Sequence, residues 1–141
     1  MRNMIENTEK SLTITGYSIS DYFAEMLDVI IKKSQQGVYV RIYVNDIEKQ
    51  KEALDRLMSY RSRFLQIYEY QKQEYDKMAA LHAKLIVSDV KKSLVSSANL
   101  SYHGMQGNIE MGFLIESHDK AKQIEEVMKE MVRMKVFGKY K

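Results

Sequence analysis

Between Ser11 and Tyr70 the chain switches back and forth between the two periodicities that let a polypeptide bury one face. Ser11 to Tyr17 alternates β-branched and apolar residues, as an extended strand does. From Ser20 or Asp21, either of which can cap a helix, Phe23, Met26, Leu27, Ile30 and Ile31 recur along one helical face, and Gly37 stands where a left-handed residue would end it. Val38 to Val44 is again strand-like and stops at Asn45-Asp46, a pair that favours turns and helix starts. A second helix is expected to about Tyr60, with Ala53, Leu54, Leu57 and Met58 as its buried stripe, and Phe64 to Tyr70 reads as a third strand. Strand, helix, strand, helix, strand describes a parallel sheet whose crossovers are right-handed.

The flanking segments extend that sheet. Residues 1–9 suit a short lead-in helix, and Gln71 to Lys77 is polar enough for a loop. Ala79 to Ser88 reads as a strand, Asp89-Val90-Lys91-Lys92 as a tight turn, and Ser93 to Ala98 as the returning antiparallel partner. Leu100 to Asn108, with Gly104 and Gly107, is a loop leading to a strand at Ile109 to Glu116. Ser117 can cap a last helix from Asp119 to Lys135 whose apolar face is Ile124, Val127, Met128 and Met131. The expected fold is α/β: a mixed, mostly parallel sheet flanked by helices on both faces, with residues 1–141 as a single domain.

That length can bury a substantial core without staples, and the absence of cysteine rules out disulfides and thiolate metal sites. No apolar run approaches the roughly 18–20 residues that span a bilayer, and the first residues lack the core of a signal peptide. A cytoplasmic protein with no membrane insertion is expected. The net charge of +3 agrees with a polyanionic partner without selecting one.

One polar set stands out against this apolar framework. In the stretch Leu81-His82-Ala83-Lys84-Leu85-Ile86-Val87-Ser88-Asp89, strand alternation would point His82 and Lys84 one way and Leu81, Ala83, Leu85 and Val87 the other. The same parity groups Ser97 with Asn99. If those strands pair, an imidazole, an ammonium, a hydroxyl and a carboxamide converge on one patch. Such a patch suits a phosphate: the lysine supplies charge, Ser97 and Asn99 neutral donors, and His82 a nucleophile or proton carrier. Alone, His82 would be read as a satisfied buried histidine, Lys84 as an edge lysine, and Ser97 or Asn99 as turn residues; their co-occurrence carries the inference.

The spacing His82-x-Lys84-x-x-x-x-Asp89, six residues, then Ser96-Ser97-x-Asn99 resembles the HKD signature of the phospholipase D superfamily, H-x-K-x-x-x-x-D followed by G-S-x-N. Glu110, within Asn108-Ile109-Glu110, falls where that superfamily often carries a glutamate. Ser96 departs from the pattern, since glycine at that position lets substrate approach the backbone closely.

The resemblance implies a metal-independent phosphodiesterase that needs no cofactor, with His82, Lys84, Ser97, Asn99 and Glu110 in its site and Asp89 ordering the turn. Members with two motif copies join them across a pseudo-twofold axis. This chain has one, which implies a homodimer through the active-site face, as in the small Nuc-type endonucleases. Nucleic acid, DNA first, is then the expected substrate, alone or within a larger DNA-processing or defence assembly. A weak or inactive phosphate-binding module and a phospholipid phosphodiesterase are the alternatives. Lys91 and Lys92 are candidate phosphate-tracking residues. His103 and His118 are read as surface histidines, and Lys32, Lys33, Arg61 and Arg63 as solvated faces.

Overall fold

A computed structural model describes residues 1–16, 24–72, 74–76, 78–97 and 111–140. In chain order these form α1 (Arg2–Glu6), β1 (Ser11–Gly16), α2 (Ala24–Gln35), β2 (Tyr39–Val44), a single 3-10 turn (Glu48–Gln50), α3 (Lys51–Ser59) and β3 (Leu65–Tyr70). β4 (Leu85–Ser88), β5 (Lys92–Ser96), β6 (Gly112–Glu116), α4 (His118–Arg133) and β7 (Phe137–Lys139) follow. The strands make one mixed sheet in the order β6-β5-β4-β1-β2-β3-β7. β1 pairs in parallel with β2, and β2 with β3, as the strand-helix alternation requires. The outer pairings, β1 with β4, β4 with β5, β5 with β6 and β3 with β7, are antiparallel, so the parallel share is smaller than expected.

Side-chain alternation along β1, β2 and β3 builds two cores. Leu12, Ile14, Val40, Ile42, Leu65 and Ile67 face α1, α2 and α3, where Ile5, Ile30, Leu54 and Leu57 are fully buried against them. Each such side chain contributes roughly 1.5–3 kcal/mol by leaving water. The opposite face holds an aromatic cluster under α4: Tyr43 stacks on Tyr68 at 4.9 Å and meets the edge of Phe137 at 5.2 Å, with Leu81 and Met128 closing it. α2 ends as its sequence indicates. Gly37 takes φ +91, and the amides of Gly37 and Val38 donate to Ser34 and Lys33 carbonyls, leaving the helix end satisfied.

Several expected elements shift. The caps proposed at Ser20 and Asp21, Phe23, Tyr17, the loop Leu100 to Asn108, and Asn99, His103 and Glu110 lie outside the described residues. α4 is capped by the Ser117 hydroxyl, which accepts from the Lys120 amide. Its buried face is rotated from the one expected, however: Val127 is 52% exposed, whereas Ala121 and Glu125 are buried. Glu125 faces Arg41 of β2, whose guanidinium lies 4.0 Å from its carboxylate. β7, three residues long, has no periodicity to read, yet it covers the outer edge of β3.

The largest difference concerns the strand expected over Ala79 to Ser88. Only Leu85–Ser88 is paired as a strand. The β1 ladder reaches Ile14 opposite Ile86, and beyond it the Thr15 side chain takes the peptide groups that a ladder would have paired. The expected turn after it is present, with Asp89 and Val90 at φ 55 and 52 and the Lys91 amide donating to the Ser88 carbonyl at 3.0 Å. Aspartate tolerates left-handed backbone; β-branched valine does not. Val90→Gly should therefore raise the unfolding free energy by about 0.5–1 kcal/mol, since roughly 1–2 kcal/mol of left-handed strain exceeds the entropy cost of glycine. A higher urea midpoint at unchanged slope is the expected reading; an unchanged or lower midpoint would show that Val90 is not strained.

Candidate active site

Residues 81–84 run past the C-terminal ends of β1 and β2, outside any strand, and two side chains fix their backbone. Asn45, at the end of β2, grips one residue twice: its Nδ2 donates to the Leu81 carbonyl at 2.8 Å and its Oδ1 accepts from the Leu81 amide at 2.6 Å. Thr15, near the end of β1, donates through Oγ1 to the Ala83 carbonyl at 2.5 Å and accepts from the Leu85 amide at 2.8 Å. Leu81 anchors the segment by burying its side chain in the aromatic cluster. His82 lies between the two grips and is exposed.

Lys84 is half-buried, and its Nζ donates to the His82 carbonyl at 3.1 Å. The end of β5 lies alongside, since the Ser96 amide donates to the Lys84 carbonyl at 3.0 Å. Ser97 follows directly. Its amide donates to the Met111 carbonyl at 3.1 Å, and its hydroxyl accepts from the Met111 amide at 3.2 Å. His82, Lys84 and Ser97 are thus brought to one end of the β4–β5 hairpin. Residues 81–84 lie outside the strand ladder, and burial does not alternate through them as expected: Leu81 and Val87 are buried, but Ala83 is exposed and Leu85 half-buried. Asn99 and Glu110 fall outside the described residues, so their places in this site are not defined.

The serine that replaces the family's glycine has a local accommodation. Ser96 pairs across the strands with Gly112, and a Cβ on that glycine would come within 3.3 Å of the Ser96 Cβ. A side chain on one strand is matched by the lack of one on the other.

Asp89 occupies the far end of the hairpin. Its carboxylate accepts from the backbone amides of Glu9, Lys10 and Ser11, the shortest at 2.6 Å from Lys10. Partial burial opposes ionisation, but these amides and the Lys91 charge outweigh it and hold the carboxyl below its usual range. Lys91 and Lys92 sit at this same turn. Lys92 pairs with Ser88, four residues from Lys84, so the two lysines stand about 13 Å along the hairpin from the His82 end. They are not brought to the site. His118 opens α4 nearby, exposed, with Nδ1 donating to the Val90 carbonyl at 2.8 Å. Among the described residues no three His, Asp or Glu side chains group as metal ligands.

The family match and the HKD spacing together identify a member of the phospholipase D superfamily. Residues 1–132 match the family described as cardiolipin synthase, PLD-like domain, and the chain belongs to that family. Among known proteins it is 34% identical over 142 residues to the DISARM protein DrmC of Bacillus paralicheniformis, covering 99% of this chain but 57% of that one. The chain thus spans just over half the length of that relative. Its fold is similar to that of Nuc, a phospholipase D family member from Salmonella typhimurium, with a TM-score of 0.77 at 17% identity, covering 99% of this chain and 87% of that one. NucT from Helicobacter pylori gives 0.74 at 17% identity, over 93% and 84%.

Sequence reasoning overlooked Thr15 and Asn45, which it took for a strand residue and a turn residue. The available signal was their position: polar side chains at the C-terminal ends of parallel strands face the crevice where such sheets bind ligands. The motif aspartate yields a prediction. Its folded pKa lies below the unfolded value of about 3.9, so the carboxylate stabilises the fold fully above that pH and loses its contribution as pH falls through the folded value. Asp89→Asn should cost about 1–3 kcal/mol at pH 7, with the gap to wild type closing below about pH 4 in urea titrations. A gap that does not narrow as pH falls below about 4 would contradict this role.

Proposed function

We propose that this chain is a metal-independent phosphodiesterase, a nuclease that hydrolyses DNA, or RNA, through a phosphohistidine at a site shared by two subunits. The observation that carries the reading is an exposed histidine on a backbone gripped at both sides, with the Lys84 ammonium on its carbonyl and Ser97 at the adjoining end of β5. Residues 1–141 are read as one phospholipase D-like domain.

A ring nitrogen of His82 attacks phosphorus, forming the N–P bond as the P–O bond to the leaving group breaks, and His82 of a second copy gives its proton to the departing oxygen. Water then attacks phosphorus, surrenders a proton to that second imidazole, and frees the first. Lys84 from each copy, with Ser97 and Asn99 donors, holds the non-bridging oxygens as charge develops. Glu110 accepts a hydrogen bond from the remote imidazole nitrogen and fixes its tautomer. The site needs no metal or cofactor, because the lysines do the cationic work.

Two facts support assembly through this face. In-line displacement uses a nucleophile and an acid on opposite sides of phosphorus, and each chain has one His82. Next to Ser97, Val95 of β5 pairs with Phe113 of β6, and Met111 lies beyond, exposed by 37%, 69% and 74%. Such contiguous apolar exposure beside a site is characteristic of an interface. The likeness to DrmC makes a larger DISARM-type assembly the expected partner, at a cytoplasmic location; among the described residues no helix is long and apolar enough to cross a membrane.

A second reading, a phosphate-binding module without turnover, is favoured by Ser96 and by the Ser97 hydroxyl being engaged with Met111. A third, phospholipid hydrolysis, shares the chemistry and accords with the family description. Assays of single- and double-stranded DNA, RNA and phospholipid vesicles in excess chelator separate these. DNA cleavage that resists chelator and falls about 10³-fold or more in His82→Ala is the expected result. Equal cleavage by both proteins would end the His82 assignment, and binding without cleavage would establish the second reading. Phe113→Glu should convert a dimer into a monomer by light scattering and abolish cleavage with it; an active monomer would refute the shared site.

A further inference from the structure

Thr15 and Asn45 lie outside the HKD pattern, yet they hold backbone groups on both sides of His82, and Thr15 holds both peptides that flank Lys84. A histidine on a loop is placed no better than its backbone, and a loop without ladder partners moves unless other groups take its hydrogen bonds. Here four bonds to two side chains take them: both peptide groups of Leu81, the Ala83 carbonyl and the Leu85 amide. The chemistry of each grip is specific. The bond pair to Leu81 needs one donor and one acceptor on a planar group, which a carboxamide has and a carboxylate lacks. The bonds to Ala83 and Leu85 need one atom that donates and accepts at once, which a hydroxyl does. Thr15 is buried, and it spans Lys84 in sequence, so the residue that fixes the imidazole's backbone also fixes the lysine's.

We infer that Thr15 and Asn45 are positioning residues that hold His82 and Lys84 at the separation phosphoryl transfer requires, an inference that rests on the phosphodiesterase reading above. Neither touches substrate. Their effect belongs in kcat: misplacing a reacting group by about 1 Å costs on the order of 100-fold, while lysine and surface contacts that bind substrate persist.

The test uses Thr15→Val, Thr15→Ser, Asn45→Asp and the wild type, assayed on bis(p-nitrophenyl) phosphate in chelator below the melting temperature of each, with amide exchange at Leu81 and Leu85 followed by NMR. Thr15→Val keeps the shape and loses both bonds, so kcat should fall about 10- to 100-fold with KM within about twofold. Thr15→Ser keeps the hydroxyl and should restore most of kcat, a rescue that a packing role for the lost methyl would not give. For Asn45→Asp, kcat relative to wild type should rise as pH falls, because a protonated carboxyl can again donate to the Leu81 carbonyl. Exchange should quicken at Leu85 in Thr15→Val, which no longer accepts from that amide, and stay protected at Leu81 in Asn45→Asp, whose carboxylate still accepts there. Unchanged kcat in both variants, with faster exchange at Leu85 in Thr15→Val, would overturn the inference and leave the phosphodiesterase reading intact. A wild type with no turnover on any phosphodiester would end that reading and with it any positioning for catalysis, whereas unchanged exchange at Leu85 in Thr15→Val would show that the Thr15 grip itself is wrong.

Discussion

Every peptide group that leaves a sheet ladder must find another partner or lie in water, and that requirement shapes this protein around β1. β1 is the central strand, flanked by β2 and β4. At its N-terminal end the amides of Glu9, Lys10 and Ser11 have no strand partner and converge on Asp89; at its C-terminal end Thr15 does for the 83–85 segment what a strand would have done. The Thr8 hydroxyl adds a buried bond of 2.7 Å to Ser88. The β4–β5 hairpin, which carries His82, Lys84 and Ser97 at one end and Asp89 at the other, is therefore fastened to the same strand at both ends.

This arrangement gives the aspartate and the histidine of the motif different tasks for a physical reason. Asp89 spends its carboxylate on three amides, which leaves it no capacity to work on a substrate and explains why its acidity is set by backbone donors. His82 lies seven positions away, beyond the four residues of β4, on backbone that is held while the residue is exposed. Fixing the chain and exposing the reactive group are achieved by separate residues, and neither compromises the other.

The parallel core was legible because its signals are redundant. β-branched alternation, a five-residue helical stripe and Gly37 agree over residues 11–44, and burial of Leu12, Ile14, Ile30, Ile31, Val40 and Ile42 follows from that agreement. The HKD spacing was equally plain as a pattern, but its geometry was not. Apolar residues at 81, 85, 86 and 87 imitate a strand, whereas the fold uses Leu81 as a plug in an aromatic cluster built from three other elements. That cluster depends on Tyr43, Tyr68 and Phe137, residues separated by up to 94 positions from one another, and no local pattern encodes such a meeting. Glu125 shows the same limit: it is buried facing Arg41 on another strand, and helical periodicity alone assigns the place to Val127.

Placing the reactive residues beyond the paired part of β4 has a consequence that a ladder would not offer. Their backbone groups are open to side chains, and Asn45 and Thr15 take four of them. Lys84 Nζ donates to the His82 carbonyl, so the ammonium lies beside the backbone that bears the imidazole. Loops are ordinarily poor places for geometry this demanding. This one answers the objection with four hydrogen bonds and one buried leucine over five residues, side-chain partners standing where ladder partners would otherwise be.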